Sequence, residues 1–139
     1  MNKSKAPTES KAPTEPTELV QRFLASMQSR DLETAQSCLH AEFSMTFPGA
    51  VRFSTLHELI AWAKPRYLSI GKHIERYEQV AGGNGPAIVW CYGTLFGQWP
   101  DGRPFDGIRF VDRFSFRDGL LHTQQVWNDL AEVSASKGL

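Results

Sequence analysis

A chain of 139 residues suits one domain built around one core. Hydrophobic residues make up 41% and charged residues 22%, the balance of a globular protein rather than a disordered or membrane-embedded one. Lys and Arg together number 15, as do Asp and Glu, so no charge surplus points to nucleic acid or an anionic membrane as partner. No apolar run approaches bilayer length and the N-terminus lacks a signal-peptide pattern, so a cytoplasmic protein is expected.

The first stretch is low in complexity. "SKAPTE" fills residues 4–9 and again 10–15, and such a composition buries too little apolar surface to offset chain entropy. Residues 1–16 are therefore expected to be a disordered tail, with a domain over residues 17–132 and a second tail over 133–139. Thr17 is a candidate helix cap, with Glu18 in the first turn, and Leu19, Val20, Phe23, Leu24 and Met27 mark one helical stripe. Asp31 opens a short second helix that buries Leu32, Ala35, Cys38 and Leu39, with His40 at its end. "FSMTF" follows as a strand with Phe43, Met45 and Phe47 on one face, then a Pro48-Gly49 turn and a brief extended "VRF". Thr55 and Glu58 form a capping box that starts a third helix through Leu56, Leu59, Ile60 and Ala63, and Pro65 stops it.

The remainder reads as strand. Residues 72–81 form the first long strand and "GGNG" at 82–85 a turn. Three further strands, "AIVWCYGTLFGQW", "FDGIRFVDRFSF" and "LLHTQQVWNDL", are joined at the hairpin dipeptides Asp101-Gly102 and Asp118-Gly119. Three helices around a short hairpin, then a four-stranded antiparallel meander, define an α+β fold. A curved sheet wrapped over helices leaves a concave face where a ligand fits.

One residue breaks the pattern. In "GIRFVDRFSFRDG" the even positions Ile108, Phe110, Phe114 and Phe116 are apolar and face the core, and Asp112 falls on that same face. On the preceding strand, Trp90, Tyr92, Thr94 and Phe96 are assigned to the concave side with Asp112. That register needs a three-residue bulged loop at residues 101–103; a two-residue loop reverses it. The last strand has two registers. A bulged loop turns His122, Gln124, Val126 and Asn128 inward; a tight Asp118-Gly119 turn points Leu121, Thr123, Gln125 and Trp127 inward. The convex side is expected to carry Val89, Leu95, Arg109, Val111, Arg113 and Trp127, more apolar surface than a monomer usually shows.

These elements, with "RDLETAQSCLHAEFSMTFPG" early and "FRDGLLHTQQVWND" at the end, resemble the nuclear transport factor 2-like superfamily. That is the cone-shaped fold of ketosteroid isomerases and SnoaL-type polyketide cyclases, and the likeness covers roughly residues 17–132. Carried over residue by residue, it places the isomerase base at about Phe47, its tyrosine at Phe23 and its penultimate-strand acid at Asp112. The SnoaL-type His and Asp fall near Gln124 and Val126. Only the acid at Asp112 is kept, so ketosteroid isomerisation is not expected. The same likeness favours the bulged register, with His122, Gln124 and Asn128 lining the cavity, and implies a homodimer formed through the convex face of the sheet.

A carboxyl among phenyl rings shifts its pKa upward or finds a partner. Two roles fit Asp112. It is a pocket acid with Tyr92 and His122 beside it, lined further by Trp90, Phe110, Gln124, Asn128, Phe23 and Phe47, and acting on a small apolar or aromatic molecule without a cofactor. Alternatively it satisfies the Tyr92 hydroxyl, the Trp90 indole or a buried Arg, in a non-catalytic binding or association module. His57 and His73 read as surface residues, and Cys38 and Cys91 as two buried thiols. No spacing of His or Cys suggests a metal.

Overall fold

The computed structural model describes residues 15–80 and 86–138; the SKAPTE tail up to residue 14 and the "GGNG" turn lie outside them. Helix α1, Pro16–Ser29, begins with Pro at its first position, where the missing N–H costs nothing. No side chain caps it; the Thr17 hydroxyl is spent instead on Gln79 Oε1, 2.8 Å away. Leu19, Val20, Phe23 and Leu24 are buried along the expected stripe. The helix ends at Arg30 in the left-handed region (φ 62°), and the Arg30 and Asp31 N–H groups close on the Met27 and Ser26 carbonyls. Asp31 caps α2, Leu32–Ser37, by accepting from the Thr34 N–H, and Thr55 and Glu58 form the capping box of α3, Leu56–Ala63. Helix α3 stops two residues before Pro65, as that residue requires.

Six strands make one sheet: β1 Leu39–Phe47, β2 Val51–Phe53, β3 Ser69–Val80, β4 Ile88–Gln98, β5 Pro104–Arg117 and β6 Leu120–Asn128. Their spatial order is β2-β1-β6-β5-β4-β3. The meander is antiparallel, and β1 joins it by pairing parallel with β6, so the sheet is mixed and not purely antiparallel. Strand β1 starts four residues earlier than its apolar alternation suggests. His40 is therefore a strand residue, not a helix end, with Nε2 3.3 Å from Asp118 Oδ2. A fourth helix, α4 Leu130–Ser136, follows β6 in residues read from the sequence as strand end and tail.

Two bulges set which face each side chain takes. The β4–β5 connection pairs Gln98 with Pro104, but the register shifts by one residue before Leu95 meets Ile108. The extra residue lies at Asp106-Gly107, where Gly107 has φ 73°. Beyond it, Cys91 stands opposite Asp112, Tyr92 opposite Val111 and Trp90 opposite Arg113. Partners across a ladder share a face, so Val89, Cys91 and Leu95 point inward and are buried. Trp90, Tyr92, Thr94 and Phe96 are on the outer, convex face, the reverse of the sequence assignment. A one-residue bulge flips every side chain beyond it, and a hairpin dipeptide alone does not reveal one.

The last strand combines both anticipated registers. Arg117 pairs with Leu120 around a tight Asp118-Gly119 turn, which buries Leu121. A shift between Ser115 and Phe116 then changes the phase, so Gln124, Val126 and Asn128 stand opposite Phe114, Asp112 and Phe110 on the inner face. Curvature is permitted at Gly93, where an added Cβ would lie 2.0 Å from the His73 carbonyl oxygen. The inner face closes on α1, with Phe23 edge-on to Phe43 and Phe114 at centroid separations of 6.0 and 6.3 Å.

Candidate functional site

The concave face does not fill completely. A cavity of about 760 Å³ lies between the sheet and the helices. Its buried floor is Phe23, Phe110, Asp112, Gln124 and Val126, from α1, β5 and β6. Its exposed lining residues, Arg30, Pro65, Arg66, Pro100 and Ala131, mark the open end. Phe47 of β1, Trp62 of α3 and Trp99 after β4 make aromatic walls, and α4 adds Leu130 and Ala135 at the rim.

Asp112 is fully buried. Its partner is Lys72 of β3, whose Nζ stands 3.1 Å from Oδ2 after reaching across β4. Burial pushes the Asp112 carboxyl up from the ordinary carboxylate range, against the pull of the Lys72 ammonium and the Gln124 side chain. At Lys72 desolvation lowers the pKa, but the charge and contact of Asp112 outweigh it and the net direction is up. Exposure explains the asymmetry: the Lys72 side chain is 24% exposed and that of Asp112 0%, so the ammonium keeps some hydration and the carboxylate has none. Lys72 and Gln124 approach the carboxylate, yet neither oxygen gains a well-aligned hydrogen bond among the described residues. Opposite Asp112, burial and then the carboxylate push the Cys91 thiol up to about 12, so it stays protonated. The Lys72 ammonium also lies 5.2 Å from the Phe110 ring centroid.

Of the residues singled out from sequence, Asp112, Phe23, Phe47, Phe110, Gln124 and Asn128 all line this cavity. Three do not. Tyr92 and Trp90 lie on the outer face because of the Gly107 bulge, and Trp90 stacks on Trp127 at 6.2 Å and 19°. His122 sits at the β6 phase change, its ring edge-on to His40 at 5.7 Å, away from the cavity. Val89 and Leu95, expected outside, are core residues.

Lys72 was missed for a definite reason. Ile70, Lys72 and Ile74 alternate on one face of β3, so the reasoning that marks Asp112 also marks Lys72. Starting the strand at residue 72 instead of Ser69 leaves Ile70 out and hides the pattern. Among the described residues no three His, Cys, Asp or Glu side chains converge, and no helix is long and apolar enough to cross a membrane.

A coiled six-stranded sheet folded over α1 and α3, its concave side lined by the residues above, is the nuclear transport factor 2-like cone. The chain belongs to the SnoaL-like domain family, whose match spans residues 20–122. Solved structures agree on the fold. An NTF2-like protein of unknown function from Burkholderia pseudomallei is similar with a TM-score of 0.72 and 17% identity, over 86% of this chain and 94% of that one. A putative SnoaL-like polyketide cyclase from Shewanella denitrificans gives 0.70 and 15%, over 89% and 98%. TerC, co-crystallised with polyporic acid, gives 0.74 and 16%, over 86% and 95%. No curated protein matches.

Proposed function

We propose that the cone binds a small, mainly apolar or aromatic molecule, and that the Asp112–Lys72 pair at its floor moves a proton on it. This is the chemistry of a cofactor-independent isomerase, cyclase or dehydratase. The observation that carries the proposal is where unmet polar capacity lies. Among the described residues Trp99 Nε1 and Asp112 Oδ1 lack both a well-aligned hydrogen bond and an ion pair, Asp112 Oδ2 has the Lys72 ammonium alone at 3.1 Å, and both residues line the cavity. Native interiors satisfy such atoms, and a functional site is one of the exceptions. A carboxylate with a raised pKa is a stronger base than a free one, and the neighbouring ammonium stabilises the enolate oxygen that forms as Asp112 takes an α-proton. TerC, similar in fold, was co-crystallised with polyporic acid, which accords with a small organic occupant.

Tetralone, a bicyclic ketone with exchangeable α-protons, is a suitable probe. Trp62 and Trp99 line the cavity, so saturable quenching of tryptophan emission reports binding. Exchange of the α-protons in heavy water, followed by NMR, reports proton transfer. Quenching is expected in the wild type and obstruction by Ala131→Phe at the rim; α-exchange is expected to fall about a hundredfold in Asp112→Asn. Absence of quenching by any apolar probe overturns the binding reading.

A second reading is a non-catalytic module that works as a pair. Val111 and Trp127 are 36% and 49% exposed on the convex face, beside Trp90 and Tyr92. That apolar patch supports a homodimer joined back to back through the sheet, which leaves both cones open. Quenching without α-proton exchange selects this reading.

A further inference from the structure

The charges around the cavity are unequal. Among the described residues its ionised lining groups are Arg30, Arg66 and Lys72 against Asp112 alone. Asp112 is committed to Lys72, so the two arginines face the open end without an acid from the lining. Each guanidinium spends one donor on a backbone carbonyl, Arg30 on Met27 and Arg66 on Trp62, and a guanidinium has five. The Arg66 guanidinium carbon lies over the Trp62 ring, 4.0 Å from its centroid, which holds it at the rim.

Tyr67 stands among these cations. Burial raises its phenol above the usual value, and the charges that pull against burial are Lys72, Arg30 and Arg66, all positive. No hydrogen bond of its hydroxyl to a described residue is present. A half-buried phenol that lines the same cavity as two uncommitted guanidiniums, one of them over the Trp62 wall, has the character of a carboxylate-binding corner.

We infer that the molecule the cone takes is an anion, an aromatic or apolar body bearing a carboxylate, and that Tyr67, Arg66 and Arg30 hold the carboxylate. The inference rests on the reading of the cone as a ligand site and adds the substrate class. The body lies against Phe110, Trp62 and Trp99, and the charge stays in the cationic corner near the opening. Neutral molecules of the same shape lose the charge-assisted hydrogen bonds but keep the apolar contacts.

The test compares naphthoate with naphthamide, equal in shape and different in charge, by tryptophan quenching and calorimetry on the full chain. Naphthoate is expected to bind about tenfold tighter or better at low salt. The preference is expected to shrink between about 0.05 and about 0.5 M salt. Tyr67→Phe and Arg66→Gln are each expected to cut the preference about threefold or more, lowering naphthoate affinity more than naphthamide affinity. Arg76→Gln, an exposed residue paired with Glu78 on the edge strand, is expected to change neither. Equal or tighter binding of naphthamide, or a preference untouched by both variants, overturns the inference and leaves the cone a ligand site. If neither compound binds while tetralone does, the inference alone falls. If nothing binds, the reading beneath it falls as well.

Discussion

The two faces of β5 hold the same ingredients in different solvents. Inward stand Ile108, Phe110, Asp112, Phe114 and Phe116, all buried; outward stand Arg109, Val111, Arg113 and Ser115. Both faces set a cation against an aromatic ring: Lys72 is 5.2 Å from the centroid of Phe110 inside, and Arg113 is 5.8 Å from that of Trp90 outside. Only the inner cation has a carboxylate beside it. Arg113 and Lys72 both stay partly exposed, whereas Asp112 is stripped of water and depends on Lys72. The acid that breaks the apolar alternation is therefore the counterpart of an inner cation. On the outer face the pairing is an exposed one, Arg109 with Asp129 at 2.7 Å.

The largest effect is expected where the inner face is forced to curl. Gly93 lies between Ile74 and Phe110, and a Cβ there falls 2.0 Å from the His73 oxygen, a backbone atom that cannot step aside. Gly93→Val should abolish the cooperative thermal transition seen by circular dichroism. A normal melt would mean that the coil of the sheet is not locked at this position.

Next is the pair itself. Lys72→Met strands a buried carboxylate and should cost about 3–5 kcal/mol in denaturant unfolding at neutral pH. Replacing both partners, as Lys72→Met with Asp112→Leu, should fall between neutral and about 4 kcal/mol more stable than wild type. That outcome marks the pair as kept for what it does in the cavity; a strongly destabilised double variant marks it as structural. The pH dependence has a definite sign. The folded Asp112 carboxyl has a raised pKa, so the folded state binds its proton more readily than the unfolded chain. Its contribution to stability therefore declines as pH rises from the ordinary value of about 3.9 through the raised one. The deficit of Lys72→Met should accordingly be smallest in acid and grow toward neutrality. Lys72 is raised as well, so its stabilisation holds below the ordinary lysine value of about 10.4 and is lost as pH climbs through the folded one. Wild type should show that alkaline loss and Lys72→Met should not.

The same contrast explains what could be read from the chain. The starts of α2 and α3 were legible because Asp31 and the Thr55–Glu58 box act within a few residues of themselves. The inward face of β5 was legible because four of five alternating positions agree and one disagrees. The faces of β4 and β6 were not, because phase there depends on bulges at Gly107 and after Leu121 that add one residue and reverse all that follows. Tyr92, Trp90 and His122 were misplaced for that reason alone. The cations of the cavity were hidden differently: Arg30, Arg66 and Lys72 come from a helix end, a connecting segment and an edge strand, and only the tertiary fold brings them to one lining.

The smallest effect on stability, with a large effect on assembly, is expected outside. Trp127 is 49% exposed and packs on Trp90, so Trp127→Glu removes little core contact and should shift unfolding by no more than about 0.5 kcal/mol. If two copies meet through this face, the change places a carboxylate in an apolar interface. Multi-angle light scattering at micromolar concentration should then show a dimer for wild type and a monomer for the variant. Because Trp127 and Val126 are neighbours on β6 with opposite orientations, the variant should leave tetralone binding intact. A wild-type monomer would assign the outer aromatics to solvent. It would also show that Arg113 over Trp90 needs neither a counterion nor a partner to keep that face in place.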